Sequence, residues 1–363
     1  MLTLLFVAIF VFFGFVVFGK IGTKGTLFSQ DRPLSDVPMG PVWLGRLIPA
    51  DPRHAMGTAV VVSALLGIGL VLVGIYFIRR YGWALFVVTP FVMGFVSASL
   101  VSLHRESTMP RCALASLLAV VTAGLGFLFM GVEGLICLLM AIPVAVPAAW
   151  IGAAAAFLLQ RARRHAVPTA LAMVLCAAPL VLAAEPGLLD APAPYTVRTA
   201  IEIEASPVAV WAHLVEFVPI TAPLETWFFR AGVSYPISAR LTGRGVGARR
   251  ICEFSTGPFV ETIRRWDEGR ELMFTVDEAP PVLRELTPYE HVDSPHLQGF
   301  FLPESADFRL VTLAGGRTRL EGTSVYRNRM WPSTYWRLWS DAIVRRVHRR
   351  VFGHVKQLAE TDR

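Results

Sequence analysis

Hydrophobic positions run almost unbroken through much of the first half of the chain and alternate with polar ones through much of the second. A bilayer crossing needs about 20 mostly apolar residues. Six stretches meet or approach that length: 2–19, 56–78, 83–103, 113–131, 135–159 and 169–184. Residues 113–159 are too long for one crossing and divide at Gly131-Val132-Glu133-Gly134. The pattern predicts an all-α membrane bundle of about six transmembrane helices over residues 1–185. Stretch 2–19 has no positive n-region and no clear small-x-small cleavage site, and Lys20 and Lys24 follow it. It therefore reads as an anchor with its N-terminus outside and not as a cleaved signal. Pro143 and Pro147 mark one span for a kink, and Gly152 with Ala153 to Ala156 suits close helix packing.

The pattern changes near residue 185. A Pro-rich linker, 186–194, leads into YTVRTAIEIEA, where Val197, Thr199, Ile201 and Ile203 alternate with Arg198, Glu202 and Glu204 as in a half-buried strand. Ser206-Pro207 supplies a helix N-cap and a proline at the first helical position, predicting a short helix over 207–217. A second is expected at 222–230. Strands follow near 234–242, 247–255, 258–266, 271–277, 306–313 and 317–328, with a hairpin turn at Ala314-Gly315-Gly316. A long helix, about 333–360, closes the chain. Its apolar stripe is Trp336, Trp339, Ile343, Val347, Val351, Val355 and Leu358. This order predicts an α+β domain over 195–363, a curved antiparallel sheet around an amphipathic helix. The gap left between helix and sheet is a natural apolar pocket.

Charge sharpens the membrane reading. The chain has 363 residues, 54% hydrophobic and 17% charged, against about 25% charged in an average soluble domain. Of the net charge of +7, +6 falls at or before Glu185, from twelve Lys and Arg against six carboxylates. The basic excess belongs to loops between spans and is no signature of nucleic-acid binding. Loops 20–55, 104–112 and 160–168 carry ten positive charges, whereas the opposite side has Arg79, Arg80 and Arg198. The positive-inside rule puts the ten in the cytoplasm. Six spans starting outside end outside, so the sheet domain is expected to be extracytoplasmic on a multi-pass protein of the plasma (inner) membrane. If 135–159 only dipped into the bilayer, or 169–184 lay on its surface, the count would be five and that side would reverse.

Candidate chemistry is sparse. Cys112, Cys137, Cys176 and Cys252 have neither metal spacing nor a disulfide pattern and read as small apolar fillers. No metal site and no cofactor is expected. Glu290, His291, Asp293 and His296 cluster in a Pro-bounded loop within 278–307, long enough to cover a pocket. Glu290, His291 and His296 are the candidates for acid/base work. Arg250, Cys252 and Phe254 share one strand face, and an inward Arg250 would meet an acidic ligand head. Trp227, Tyr326 and Trp339 are candidates for the pocket lining, with Arg250 and Phe254. Arg345, Arg346, Arg349 and Arg350 give the last helix a basic stripe suited to anionic headgroups.

IEIEASPVAVWAHLVEF, GRGVGARRICEF, ETIRRWDEGRELMFTV and the final helix together resemble the START/Bet v 1-like (SRPBCC) superfamily, including its polyketide cyclase/dehydratase-type members. The resemblance covers about 195–360 and not the membrane half. It implies a helix-grip fold whose cavity holds lipids, polyketides or other hydrophobic small molecules. Some members are enzymes and many only bind or carry; a membrane anchor argues against free shuttling. Three functions stand as expectations. The first is a membrane-anchored module binding a lipid or other hydrophobic small molecule. The others are a cyclase, dehydratase or hydrolase-type enzyme, and a membrane sensor or assembly protein.

Overall fold

A computed structural model of the chain describes residues 49, 51–104, 106–185, 193–289 and 299–362. Stretch 2–19, most of linker 186–194 and the cluster Glu290, His291, Asp293 and His296 lie outside the described residues. The chain divides into two units, Met1–Asp190 with Thr287–Val292, and Ala191–Leu286 with Asp293–Arg363.

Among the described residues of the first unit, five helical stretches are long and apolar enough to cross a membrane: Pro52–Ile78, Ala84–Val101, Met109–Phe129, Leu135–Arg163 and Val167–Ala184. They match the five expected downstream of residue 50, including the break at 131–134. Helix α1 (Pro52–Leu72) starts on Asp51, whose carboxylate accepts from the Arg53 and His54 amides, and runs on as a π-helical turn to Ile78. Helix α2 (Thr89–Val101) is almost wholly buried. Around it pack α3 (Met109–Phe129), α4 (Leu135–Arg163) and α5 (Val167–Ala184). Pro143 and Pro147 sit inside α4 without ending it. A Cβ on Gly94 would lie 1.8 Å from the Ala149 carbonyl oxygen, and one on Gly152 would lie 2.0 Å from that of Phe91. These two glycines let the α2 and α4 backbones touch, the close packing expected of small residues. The outer face stays greasy: Phe77 is 83% exposed and Leu180 69%. A helix apolar all round belongs in lipid or a large core.

Three contacts pair the helix ends. Arg111 at the start of α3 donates to the Pro52 carbonyl at the start of α1, at 2.8 Å. At the other end the Tyr81 hydroxyl donates to Glu133 at 3.0 Å, and the Ala84 amide donates to Glu185 at 3.2 Å. The turns 79–83 and 130–134 and the exit from α5 therefore share one end of the bundle.

The second unit is one seven-stranded antiparallel sheet, ordered β1-β7-β6-β5-β4-β3-β2. Its strands are β1 (Tyr195–Ile203), β2 (Pro236–Thr242), β3 (Arg249–Phe254), β4 (Gly257–Asp267), β5 (Glu271–Glu278), β6 (Phe301–Thr312) and β7 (Thr318–Asn328). Between β1 and β2 lie α6 (Pro207–Val215) and the single turn α7 (Trp227–Arg230); α8 (Ser333–Thr361) ends the chain. Ser206 caps α6 by accepting from the Ala209 amide, as its sequence position predicts. Two expectations need correction. The helix foreseen at 222–230 shrinks to α7, because the Ala222 and Pro223 carbonyls are held by Arg350 at 3.1 and 3.3 Å. Strand β6 begins at Phe301, five residues early; Pro303 and a register shift beside it broke the alternation that would have revealed it. The connection before β6 is correspondingly shorter.

The basic stripe of α8 is only in part a free surface, with Arg345 and Arg349 exposed. Arg350 is buried, with its donors on Pro236, Pro223 and Ala222. Arg346 lies over the Phe228 ring, and Arg345 reaches Asp341 at 3.8 Å.

Candidate functional site

The candidate site is the seam where α8 crosses the concave sheet face, and it differs along its length. Toward its C-terminus α8 buries Val351, Phe352, Val355 and Ala359 in one core with Ile203, Leu310, Leu320 and Phe308. Phe352 is fully buried, and a Cβ on Gly322 would lie 2.3 Å from its ring. No guest fits between surfaces in such contact.

Toward its N-terminus the helix meets β1 and β7 through polar side chains. The Asn328 amide donates to Ser340 Oγ at 2.9 Å, and the Tyr326 hydroxyl donates to Asp341 at 2.7 Å. Ser324 Oγ lies 2.8 Å from His348 Nε2, and Thr199 Oγ1 lies 3.1 Å from His348 Nδ1. His348 is buried between Phe352 and Phe308. Burial pulls its imidazole down to about 4, so it is neutral at physiological pH. Burial and then the Asp341 carboxylate push the Tyr326 phenol upward.

Between buried Asp341 and buried His348, Ile343, Val344 and Val347 are only half-buried. Val347 lies one turn before Val351, and Val344 one turn before His348, so they prolong the rows that are closed lower down. Trp339, one turn before Ile343, belongs to an aromatic cluster. Trp227 stacks on Phe228 at 4.1 Å, Phe228 meets Trp339 edge-on at 6.0 Å, and Tyr335 meets Trp339 at 6.5 Å. On β3 and β4, half-buried Phe254 and Phe259 touch at 4.4 Å.

Arg250 points inward, on the same strand face as Cys252 and Phe254. It is 2% exposed and contacts Glu261 at 2.5 Å while donating to the Val215 and Leu214 carbonyls at 2.9 and 3.5 Å. The pair thus ties β3 and β4 to the last turn of α6, whose C-terminal carbonyls lack helical partners. Desolvation pushes the Cys252 thiol up to about 12, which keeps it protonated and unreactive.

Solved structures similar to this chain cover its C-terminal half. They include a Nitrosospira multiformis protein (18% identity, 47% of this chain and 100% of that one, TM-score 0.29). Truncated norcoclaurine synthase from Thalictrum flavum matches at 10% identity over 47% and 96%, with TM-score 0.30. The ZhuI aromatase/cyclase from Streptomyces sp. R1128 matches at 16% identity over 46% and 94%, with TM-score 0.30. The C-terminal half is a seven-stranded antiparallel sheet with a long closing helix, and these structures are what it is similar to. No family model and no curated protein matches the sequence. Identities this low concern the fold alone.

Of the sequence candidates, the sheet domain brings Trp227 and Trp339 together through Phe228. Phe254 stands on β3 against Phe259. Tyr326 is 1% exposed and stacked on Phe301 at 4.9 Å; like Arg250 it stands behind the surface. Sequence reasoning missed Asp341, His348 and Glu261. Asp341 and His348 are polar residues seven apart on the helix, in line with Phe352 and Val355, which is a readable sign. Glu261 was readable too: equal steps outward from the tight turn at Ser255-Thr256 bring it opposite Arg250.

Proposed function

We propose that this protein is a membrane-anchored binding module, whose START/Bet v 1-like domain takes a lipid or other hydrophobic small molecule between α8 and the concave sheet face. One observation carries the reading. The apolar rows of α8 are sealed by Phe352 and Val355 but left half-open at Ile343, Val344 and Val347, one turn from the aromatic cluster at Trp339. Leaving apolar area open costs about 25 cal/mol per Å² relative to burial, which a greasy guest recovers. Trp227, Phe254 and Trp339 would contact it, while Tyr326 and Arg250 hold the wall from behind. Binding is favoured over turnover, because the described interior offers a neutral, doubly paired His348, a protonated Cys252 and an Arg250 already matched by Glu261.

The test uses the full chain in lipid nanodiscs and the apolar dye 1-anilinonaphthalene-8-sulfonate. Val344→Trp fills the opening and should weaken dye binding at least tenfold with little change in melting temperature. Unchanged dye affinity in a folded variant contradicts the reading.

The domain is assigned to the extracytoplasmic side. Ten positive charges on one set of loops support this. So do the Arg111–Pro52, Tyr81–Glu133 and Ala84–Glu185 contacts, which fit alternating crossings from α1 to the exit of α5. With those five crossings, the side of the domain follows from loop 20–55 whether or not 2–19 spans. A C-terminal alkaline phosphatase fusion should be active; an inactive but stable fusion places the domain in the cytoplasm.

A further inference from the structure

The two ends of the START/Bet v 1-like domain carry different surfaces. At one end lie the turns 243–248 and 314–316, the start of α6 and the C-terminus of α8. At the other lie the start of β1, the end of β7, α7 and the first turns of α8. There Arg337 sits over the Tyr195 ring at 5.0 Å, and Tyr195 meets Tyr326 at 5.7 Å. This second end receives the chain from the membrane helices. From Ala184 to Tyr195 is eleven residues, a reach of at most roughly 40 Å when fully extended.

The end so tethered is the one with exposed aromatic and apolar side chains. Trp227 is 52% exposed and Leu338 67%. Exposed arginines surround them: Arg230 on α7, Arg329 after β7 and Arg337 on α8. Among the described residues nearby, the carboxylates include exposed Glu225, Glu304 paired with Arg327, and buried Asp341, which accepts from Tyr326 and pairs with Arg337 at 3.4 Å. Among the described arginines at this end, that leaves Arg230 and Arg329 without a carboxylate. Trp and Tyr settle at the headgroup level of bilayers, and arginines beside them hold anionic headgroups. Exposed leucine and tryptophan side chains on an interfacial surface bury at the headgroup/acyl boundary.

We infer that this end of the domain, centred on Trp227 and Leu338, is a membrane-interfacial surface that rests on an anionic bilayer. The inference goes beyond ligand binding, since an empty domain would dock equally. Its consequence for the pocket is directional: the aromatic cluster at Trp339 lies at the docked end, so a guest enters from the leaflet without crossing water.

The test places an environment-sensitive fluorescent amino acid at position 338 of the full chain. The control is the same probe at Val246, equally exposed at 68% but at the opposite end. Both proteins are reconstituted in phosphatidylglycerol/phosphatidylcholine vesicles containing nitroxide-labelled lipid. Quenching at 338 should exceed quenching at 246 at least threefold, and Arg329→Glu with Arg337→Glu should reduce the difference. Equal quenching at both positions overturns the inference. Shielding of position 338 in native membranes but not in vesicles also overturns it, in favour of a protein partner. If the probe at 338 disturbs folding, the same comparison with the probe at 329 decides. Dye binding measured on the same samples separates the two claims: quenching with no dye uptake leaves this inference standing and removes the pocket, and the converse removes this inference alone.

Discussion

The lower and upper halves of α8 are built from opposite materials against the same sheet. Below, Val351, Phe352, Val355 and Ala359 close on Leu320, Phe308 and Ile203 with ring-to-backbone contact at Gly322. Above, Ser340, Asp341 and His348 are pinned to Asn328, Tyr326, Ser324 and Thr199 by hydrogen bonds, and the apolar residues between them stay half-open. The difference teaches how a helix can be held against a sheet without sealing every apolar side chain. Apolar surfaces collapse wherever they meet, whereas directional bonds fix a helix at a set distance. One half of the helix supplies stability, and on the proposed function the other supplies a held-open mouth.

Phe352→Ala tests the closed half and should cost about 3–5 kcal/mol, the usual range for a buried aromatic; chemical denaturation of the full chain measures it. Glu261→Ala strands the buried Arg250 charge and should cost a similar amount, about 3–5 kcal/mol. Lysine-free replacement of both partners by well-packed apolar residues should recover much of that loss. The polar seam gives a pH signature. Because His348 titrates near 4 in the folded chain and near 6.5 when unfolded, the unfolded state binds more protons between these values. Stability should therefore fall as pH drops from about 6.5 toward 4, by up to about 1.4 kcal/mol per pH unit. His348→Gln should flatten that slope. Smallest in stability is Val344→Ser, expected to cost about 1 kcal/mol or less while weakening dye binding severalfold. A Val344→Ser loss as large as that of Phe352→Ala would erase the contrast between the two halves.

Much of this architecture was legible in the chain. Unbroken apolar runs gave the five described membrane-type helices, and the period of two in Val197, Thr199, Ile201 and Ile203 gave β1. Ser206-Pro207 announced α6. The inward face of β3 was readable as a set, Arg250 with Cys252 and Phe254, but its partner across the hairpin was not drawn from the turn register. Strand β6 was half-hidden by Pro303. The apolar stripe of α8 was partly misread. Trp336, Val351 and Val355 are buried as their spacing predicts, but Phe352 and Ala359 share the core and Leu358 is only half-buried. The reason is physical: a periodicity based on apolar residues cannot see that Asp341 and His348 also face inward, since their burial depends on partners from strands more than a dozen residues away. For the same reason the arginines near 345–350 read as a surface stripe, although Arg350 is spent on backbone carbonyls.

Native mass spectrometry of the full-length protein, released directly from its membranes, tests the held-open mouth most directly. A bound hydrophobic mass near one per chain is expected, retained in Phe352→Leu and lost in Val344→Trp. A wild-type chain that carries no such mass, or a Val344→Trp chain that carries it undiminished, would contradict the account.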